Sequence, residues 1–272
     1  LIVHVSSMEQ ALSLWQDPTS AWQERFLLLA EHFWPGPLTI IGPASRRIPS
    51  AVTAGLETVA VRMPDHPVAL GLIRHSGVPI AAPSANRSGR PSPTTASHVL
   101  EDLEGHVELI LDGGATGIGL ESTVLDLVSP KPTVLRPGGV TIEELAELLG
   151  EVGYISRLEE GEVARSPGMK YRHYSPTSKL ILVEGPPDKV LPAMKKLLER
   201  YKGENKRVGV LATREALSKG EFAEADLVLH SGERRAPETI GAKLFANFRT
   251  ADLRELDVLI MEGIEPRGLG LA

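Results

Sequence analysis

Two arginines stand where strands should end. Arg62 closes the β-rich run Thr58-Val59-Ala60-Val61, and Arg136 follows Val134-Leu135 and precedes Pro137-Gly138-Gly139. A guanidinium donates two parallel hydrogen bonds and so suits a carboxylate or a phosphate. A lone arginine more often makes a surface ion pair, but two at strand ends, beside loops of Gly and Ser, point to an anionic ligand. The first loop lies in Pro79-Ile80-Ala81-Ala82-Pro83-Ser84-Ala85-Asn86-Arg87-Ser88-Gly89. There an apolar strand runs into small residues that let backbone amides approach an anion or a sugar, with Ser84 and Asn86 adding a hydroxyl and an amide. The same segment also fits a capped turn between strand and helix. In the second loop, four of the seven residues 113–119 are Gly, and Ser122 and Thr123 follow. That pattern fits an anion-binding nest or a long hairpin-like loop. It is not a Walker A loop, because no Lys follows the glycines.

Other candidates carry less. His4 lies on an apolar strand, where a single histidine is usually a satisfied core or surface group. Trp34-Pro35-Gly36-Pro37 reads as a packed corner. No spacing of histidines or carboxylates suits a protein-held metal, and no Gly-x-Ser-x-Gly elbow occurs. The sequence contains no Cys, which excludes disulfides, Cys-ligated zinc and thiolate catalysis.

The elements that must position these groups alternate. Strands are predicted at 3–5, 38–41, 58–62, 79–82, 108–111 and 123–127, and helices at 8–16, 21–33, 67–75, 94–103 and 141–149. In the second helix Phe26, Leu27, Ala30 and Phe33 fall on one face, and Thr141 with Glu144 forms a capping box at the last. Periodicity then lapses over 150–178, a linker holding the dense cluster Ser166-Pro167-Gly168-Met169-Lys170-Tyr171-Arg172-His173-Tyr174. Flexible linkers are normally Gly/Ser-rich and lack aromatics. Strands at 180–183, 207–212, 227–230 and 258–261 alternate with helices at 188–201 and 237–248, which implies a mostly parallel sheet. No Gly-x-Gly-x-x-Gly follows its first strand, so the dinucleotide fingerprint is missing.

The bulk properties bound the function. A chain of 272 residues with 42% hydrophobic and 24% charged residues is ordinary globular material for one large or two smaller domains. A net charge of −6 argues against a protein that coats nucleic acid, though a local Arg cluster can still bind phosphates. No apolar run approaches the roughly 18–20 residues that span a bilayer and no signal peptide is visible, so a soluble, cytoplasmic protein is expected. Leu1-Ile2-Val3-His4-Val5 reads as the middle of a strand and Gly268-Leu269-Gly270-Leu271-Ala272 stops without a closing element. The natural ends are expected to lie outside this sequence.

Taken in order, the motifs Phe33-Trp34-Pro35-Gly36-Pro37-Leu38-Thr39, Thr58-Val59-Ala60-Val61-Arg62-Met63-Pro64, Ala82-Pro83-Ser84-Ala85-Asn86, Glu121-Ser122-Thr123-Val124 and Leu135-Arg136-Pro137-Gly138 resemble the YrdC-like domain of threonylcarbamoyl-AMP synthases. The cluster 166–174 and the tail resemble the two-domain branch of that family. The resemblance implies an α/β fold: a YrdC-like twisted open sheet domain over 1–149, a linker or lid over 150–178, and a small Rossmann-like parallel-sheet domain over 179–272. It implies that ATP, bicarbonate and L-threonine give threonylcarbamoyl-AMP and pyrophosphate, and that the product passes to the tRNA threonylcarbamoyl-transfer machinery acting at adenosine 37. His4, Arg62, Ala82 and Ser122 then form the threonine pocket. Thr58, Ser84, Ser92, Arg136 and Tyr171 hold ATP, with His173 a weaker candidate and Mg²⁺ carried on the triphosphate. No catalytic side chain is implied. A Thr-rich strand, a Lys-x-Arg motif with a nearby Asn and a basic C-terminal segment of that family are absent from the sequence. Without those phosphate-binding groups the chain by itself would be inactive.

Two other functions stay open on the residues alone. A carbamoyl-transfer enzyme of hydrogenase maturation contains a related domain, but its zinc-finger regions need the Cys that this chain lacks. An RNA-binding module would need a steep salt dependence of RNA affinity, against the grain of the net charge.

Overall fold

The computed structural model describes residues 1–16, 19–155, 175–220 and 222–272. In chain order the elements begin β1 (Ile2–His4), α1 (Met8–Ser13), α2 (Ser20–Phe33), β2 (Leu38–Pro43), α3 (Ser50–Thr53), β3 (Thr58–Arg62), α4 (Pro67–Ser76) and β4 (Ile80–Ala82). They continue with α5 (Ala96–Leu103), β5 (Thr123–Asp126), β6 (Thr133–Arg136), α6 (Ile142–Leu149) and β7 (Gly153–Tyr154). From residue 179 come β8 (Lys179–Val183), α7 (Pro187–Gly203), β9 (Val208–Ala212), α8 (Arg214–Leu217), β10 (Leu227–His230), α9 (Pro237–Leu253) and β11 (Val258–Glu262). The chain divides into two compact units. One comprises residues 1–84 with the described part of 121–171, and the other residues 85–120 with the described part of 172–271. Among the described residues no helix is long and apolar enough to cross a membrane.

The first unit is built on a seven-stranded mixed sheet in the order β4-β1-β3-β2-β5-β6-β7. Alternation decides what each face carries, since residues two apart on a strand project to the same side. Val3, Val61, Val59, Leu38, Ile40, Leu125 and Val134 point to one face and pack with Trp15, Trp22, Phe26, Leu29 and Leu145 from the helices. Edge-on aromatic contacts tighten this core, with Trp15 and Trp22 at 4.8 Å and Phe26 and Trp34 at 5.4 Å between ring centres. The other face carries a smaller apolar cluster, Ile2, Ile41, Ala60, Val124 and Leu135. The same alternation puts His4, Arg62, Thr58 and Thr39 on that second face, and Arg136 joins them through a register shift in the β5–β6 ladder that sets it opposite Val124.

Several predicted elements shift, and each shift has a cause. The buried stripe of α2 is Trp22, Phe26, Leu29 and Ala30, whereas Leu27 is 44% exposed. Leu27 sits one residue, about 100°, round from Phe26, so the i, i+4, i+7 stripe leaves it outside. Residues 108–111 form no strand, and Leu109 is 73% exposed. An apolar run makes a strand only where a hydrogen-bonding partner lies alongside. Within the predicted linker, β7 adds a short parallel strand to β6. The capping box is present as expected, with Thr141 and Glu144 exchanging side chain-to-backbone hydrogen bonds.

The second unit contains a fully parallel four-stranded sheet in the order β10-β9-β11-β8. Its central strands are buried on both faces, as parallel sheets require. Val190, Met194 and Leu198 of α7 pack on Val208, Val210 and Ile260, while Phe245 and Phe248 of α9 cover Leu211 and Leu259 on the other side. The Gly-rich loop has a packing role in this unit. A Cβ on Gly119 would meet the Gly241 carbonyl oxygen at 2.4 Å, and one on Gly241 would meet Leu120 at 2.9 Å. Backbone of the loop therefore lies directly on backbone of α9, which only glycine on both sides permits.

Candidate functional site

The register of the sheet assembles the site. His4 pairs with Arg62 across β1 and β3, and with Ile80 across β1 and β4. Arg136 pairs with Val124 across β5 and β6. Between these flanks lie the starts of β2 and β5, joined by Leu38 opposite Thr123. Both arginines lean inward towards those starts. Arg62 donates from Nε to the carbonyl oxygen of Gly36, just ahead of β2, at 2.9 Å. Arg136 donates from Nε and Nη2 to the carbonyl oxygen of Ser122, just ahead of β5, at 3.1 and 2.8 Å, and from Nη2 to Ser122 Oγ at 3.0 Å. Two guanidiniums rooted three strands apart thus converge on adjacent strand starts.

Buried hydroxyls and backbone fix this arrangement. Ser122 Oγ lies 2.7 Å from Thr39 Oγ1, and both residues are almost fully buried. The Gly36 amide donates to Met63 O at 2.9 Å, and Trp34 Nε1 to Leu38 O at 2.7 Å, so the Trp-Pro-Gly-Pro corner is bolted to the end of β3 and the start of β2. Thr39 and Gly36 were missed as site residues in the sequence. The available signal for Thr39 was a hydroxyl inside the otherwise apolar strand Leu38-Thr39-Ile40-Ile41.

The electrostatics are those of two cations held near each other. Burial, followed by the charge of Arg136, lowers the Arg62 pKa to about 10, and the guanidinium stays charged at neutral pH. Among the described residues no carboxylate forms an ion pair with Arg62 or Arg136. Burial, then the charge of Arg62, lowers the His4 pKa from 6.5 to about 4, against smaller opposing effects of backbone hydrogen bonds to Ile80 and Ile2. His4 is therefore neutral at pH 7. Between about pH 6.5 and 4 the unfolded chain binds this proton and the folded chain does not, so stability present above pH 6.5 is lost on acidification, by about 3 kcal/mol in all. His4→Gln should flatten that part of the stability–pH curve, followed as the unfolding midpoint from pH 7 to 4. An unchanged slope would assign the acid sensitivity elsewhere.

The remaining candidates fall at different places. Ala82 pairs with Ile2, two residues along from the His4–Ile80 pair and on the same face. Thr58 shares the face of Arg62 but lies four residues away on β3, about 13 Å along the strand. Ser84 is exposed beyond β4, and Ser92 is buried in the second unit. The Asn86 amide, read as a ligand donor, is spent on the loop itself, donating to Arg87 O at 2.9 Å and Arg90 O at 3.2 Å. Tyr171 and His173 lie outside the described residues. No cluster of three His, Asp or Glu able to hold a metal occurs among the described residues.

Known proteins share this architecture. A family model described as "Telomere recombination", Sua5_yciO_yrdC, matches residues 1–138, and one described as "Threonylcarbamoyl-AMP synthase, C-terminal domain" matches residues 140–272. The threonylcarbamoyl-AMP synthase of Pyrococcus abyssi is 46% identical over all of this chain and 77% of its own length. That of Bacillus subtilis is also 46% identical, over 76% of its length, and that of Schizosaccharomyces pombe 40% identical, over 74%. The crystal structure of P. abyssi Sua5 complexed with L-threonine superposes on the whole chain with a TM-score of 0.92 and covers 77% of that protein. The two family models, the identity over the whole of this chain and the structural superposition agree: the chain belongs to the Sua5 family of threonylcarbamoyl-AMP synthases.

Proposed function

We propose that the sheet face carrying Arg62 and Arg136 joins L-threonine, bicarbonate and ATP into threonylcarbamoyl-AMP with release of pyrophosphate. The observation that carries this reading is the approach of two partly buried arginines that repel each other and have no carboxylate partner among the described residues. Such a site is most stable with anions in it, and the substrates bring a carboxylate and a triphosphate. Arg62 takes the threonine carboxylate, with neutral His4, Ala82 and Ser122 lining the amino-acid end. Arg136 takes phosphate, and Thr58, Ser84 and Tyr171 complete the nucleotide contacts.

The chemistry asks for positioning more than for a nucleophilic side chain. The threonine amine adds to bicarbonate with loss of water, giving N-carboxythreonine. A carboxylate oxygen of that group attacks the α-phosphorus, the bond from it to the bridging oxygen breaks, and pyrophosphate leaves with the electron pair. The arginines align the reacting groups and neutralise charge as it moves. Mg²⁺ enters on the triphosphate, held by phosphates and water. The mixed anhydride product passes to the enzymes that modify tRNA, in the cytoplasm, and contact with RNA is part of this reading.

The full-length protein should release pyrophosphate from ATP only when threonine and bicarbonate are both supplied, followed by a coupled pyrophosphate assay. Equal release without threonine would overturn the assignment.

A further inference from the structure

Two hydroxyls lie buried side by side at the strand starts between Arg62 and Arg136, and together they hold one proton more than they can share. The strand order β3-β2-β5-β6 sets Arg62, Thr39, Ser122 and Arg136 in that sequence across one end of the sheet. A hydroxyl oxygen accepts two hydrogen bonds and donates one. Arg136 Nη2 donates to Ser122 Oγ at 3.0 Å and so takes one lone pair. Thr39 Oγ1 stands 2.7 Å from the same oxygen. One hydroxyl proton bridges that pair, and the other is left over.

Burial decides where the spare proton sits. Thr39 is 0% exposed, and among the described residues Ser122 Oγ is the one hydrogen-bond partner of its hydroxyl. A spare proton on Thr39 would be a buried donor without an acceptor, which costs its full desolvation. The favoured arrangement has Thr39 donating to the second lone pair of Ser122, with the spare proton on Ser122. Both lone pairs of Ser122 are then taken, and this hydroxyl can only donate. An ammonium group finds no acceptor there; an oxyanion finds a donor.

The neighbours select the oxyanion. With the threonine carboxylate on Arg62 and a phosphate on Arg136, the third oxyanion of the reaction is bicarbonate, which becomes the N-carboxylate. It must lie between the other two to join them. Adjacent strands stand about 4.8 Å apart, and the two carboxyl carbons of N-carboxythreonine, three bonds from each other, are separated by about 4 Å. Ser122 precedes β5, one strand over from the Gly36 carbonyl that holds Arg62, and it touches Arg136. Its place matches that spacing.

We propose that the Ser122 hydroxyl is the hydrogen-bond donor of the bicarbonate subsite, first to bicarbonate and then to the N-carboxylate, and that Thr39 is the positioning residue that aims its proton. This rests on the assignment of Arg62 to the threonine carboxylate and of Arg136 to phosphate.

The test is steady-state pyrophosphate release by the full-length protein in buffer depleted of carbon dioxide. Bicarbonate, threonine and ATP are each varied at saturating levels of the other two. Ser122→Ala and Thr39→Val should each raise KM for bicarbonate about tenfold, the worth of one hydrogen bond to a charged group, and leave KM for threonine and ATP within about twofold. Thr39→Ser keeps the hydroxyl and should restore the wild-type value. The double variant Thr39→Val/Ser122→Ala should be no worse than Ser122→Ala, because Thr39 acts only through Ser122. If Thr39→Val does not fold, Thr39→Ala takes its place. Fully additive effects in the double variant overturn the positioning role of Thr39. A wild-type KM for bicarbonate in folded Ser122→Ala, with a raised KM for threonine, overturns the subsite and leaves the threonine assignment standing. Wild-type values of all three constants in that variant remove Ser122 from the site, and its assignment falls together with the inference.

Discussion

Arg62→Ala should lower kcat/KM for threonine about 10³-fold, corresponding to about 4 kcal/mol of lost transition-state stabilisation. A partly buried guanidinium facing a carboxylate cannot be replaced by water at the same geometry, and losing one partner leaves the other charge desolvated. The stability of the ligand-free protein should move the other way. Burial and the neighbouring Arg136 charge already hold the Arg62 pKa down at about 10, so removing Arg62 relieves a repulsion and costs only its hydrogen bond to Gly36 O. The unfolding midpoint should be unchanged or raised, as at sites that trade stability for function. Kinetics paired with thermal unfolding separate the cases: loss of activity with a collapsed midpoint would make Arg62 a scaffold residue.

Gly138→Ala should be nearly as damaging without altering any group that meets substrate. A Cβ at 138 would lie 2.3 Å from Glu121 O, 2.6 Å from Thr123 N and 2.7 Å from Ser122 C. All three are backbone atoms, so residues 121–123 must move by about 1 Å to reach ordinary contact. That movement pulls Ser122 away from Arg136 and from Thr39, which it meets at 3.0 and 2.7 Å. Misplacement on this scale typically costs about 10² in rate, and overpacking adds about 1–3 kcal/mol of destabilisation. Kinetic constants measured on protein that is folded by circular dichroism check this. Wild-type kcat/KM would mean that the Ser122–Arg136 contact does not shape the site.

Much of the scaffold was legible because periodicity and local chemistry agree. β3 runs from Thr58 to Arg62 as predicted, the capping box at Thr141 is formed, and the tail forms the expected parallel sheet. Arg62 and Arg136 close β3 and β6, as their position after β-rich runs predicts. What stayed hidden depends on partners distant in sequence. Residues 108–111 have the composition of a strand but no partner along them in the structure, and β7 forms only because β6 lies beside it. Nothing near Gly119 announces that Gly241 presses against it from α9. Thr39 becomes part of the site only through Ser122, 83 residues away.

The central claim is that Arg62 and Arg136 bound one anion pocket on the sheet face opposite the main helical core. A crystal structure with L-threonine and a non-hydrolysable ATP analogue tests it most directly. The threonine carboxylate should lie within hydrogen-bonding distance of the Arg62 guanidinium, with a phosphate oxygen on Arg136. Both ligands bound elsewhere, with neither arginine touching an anion, would contradict it.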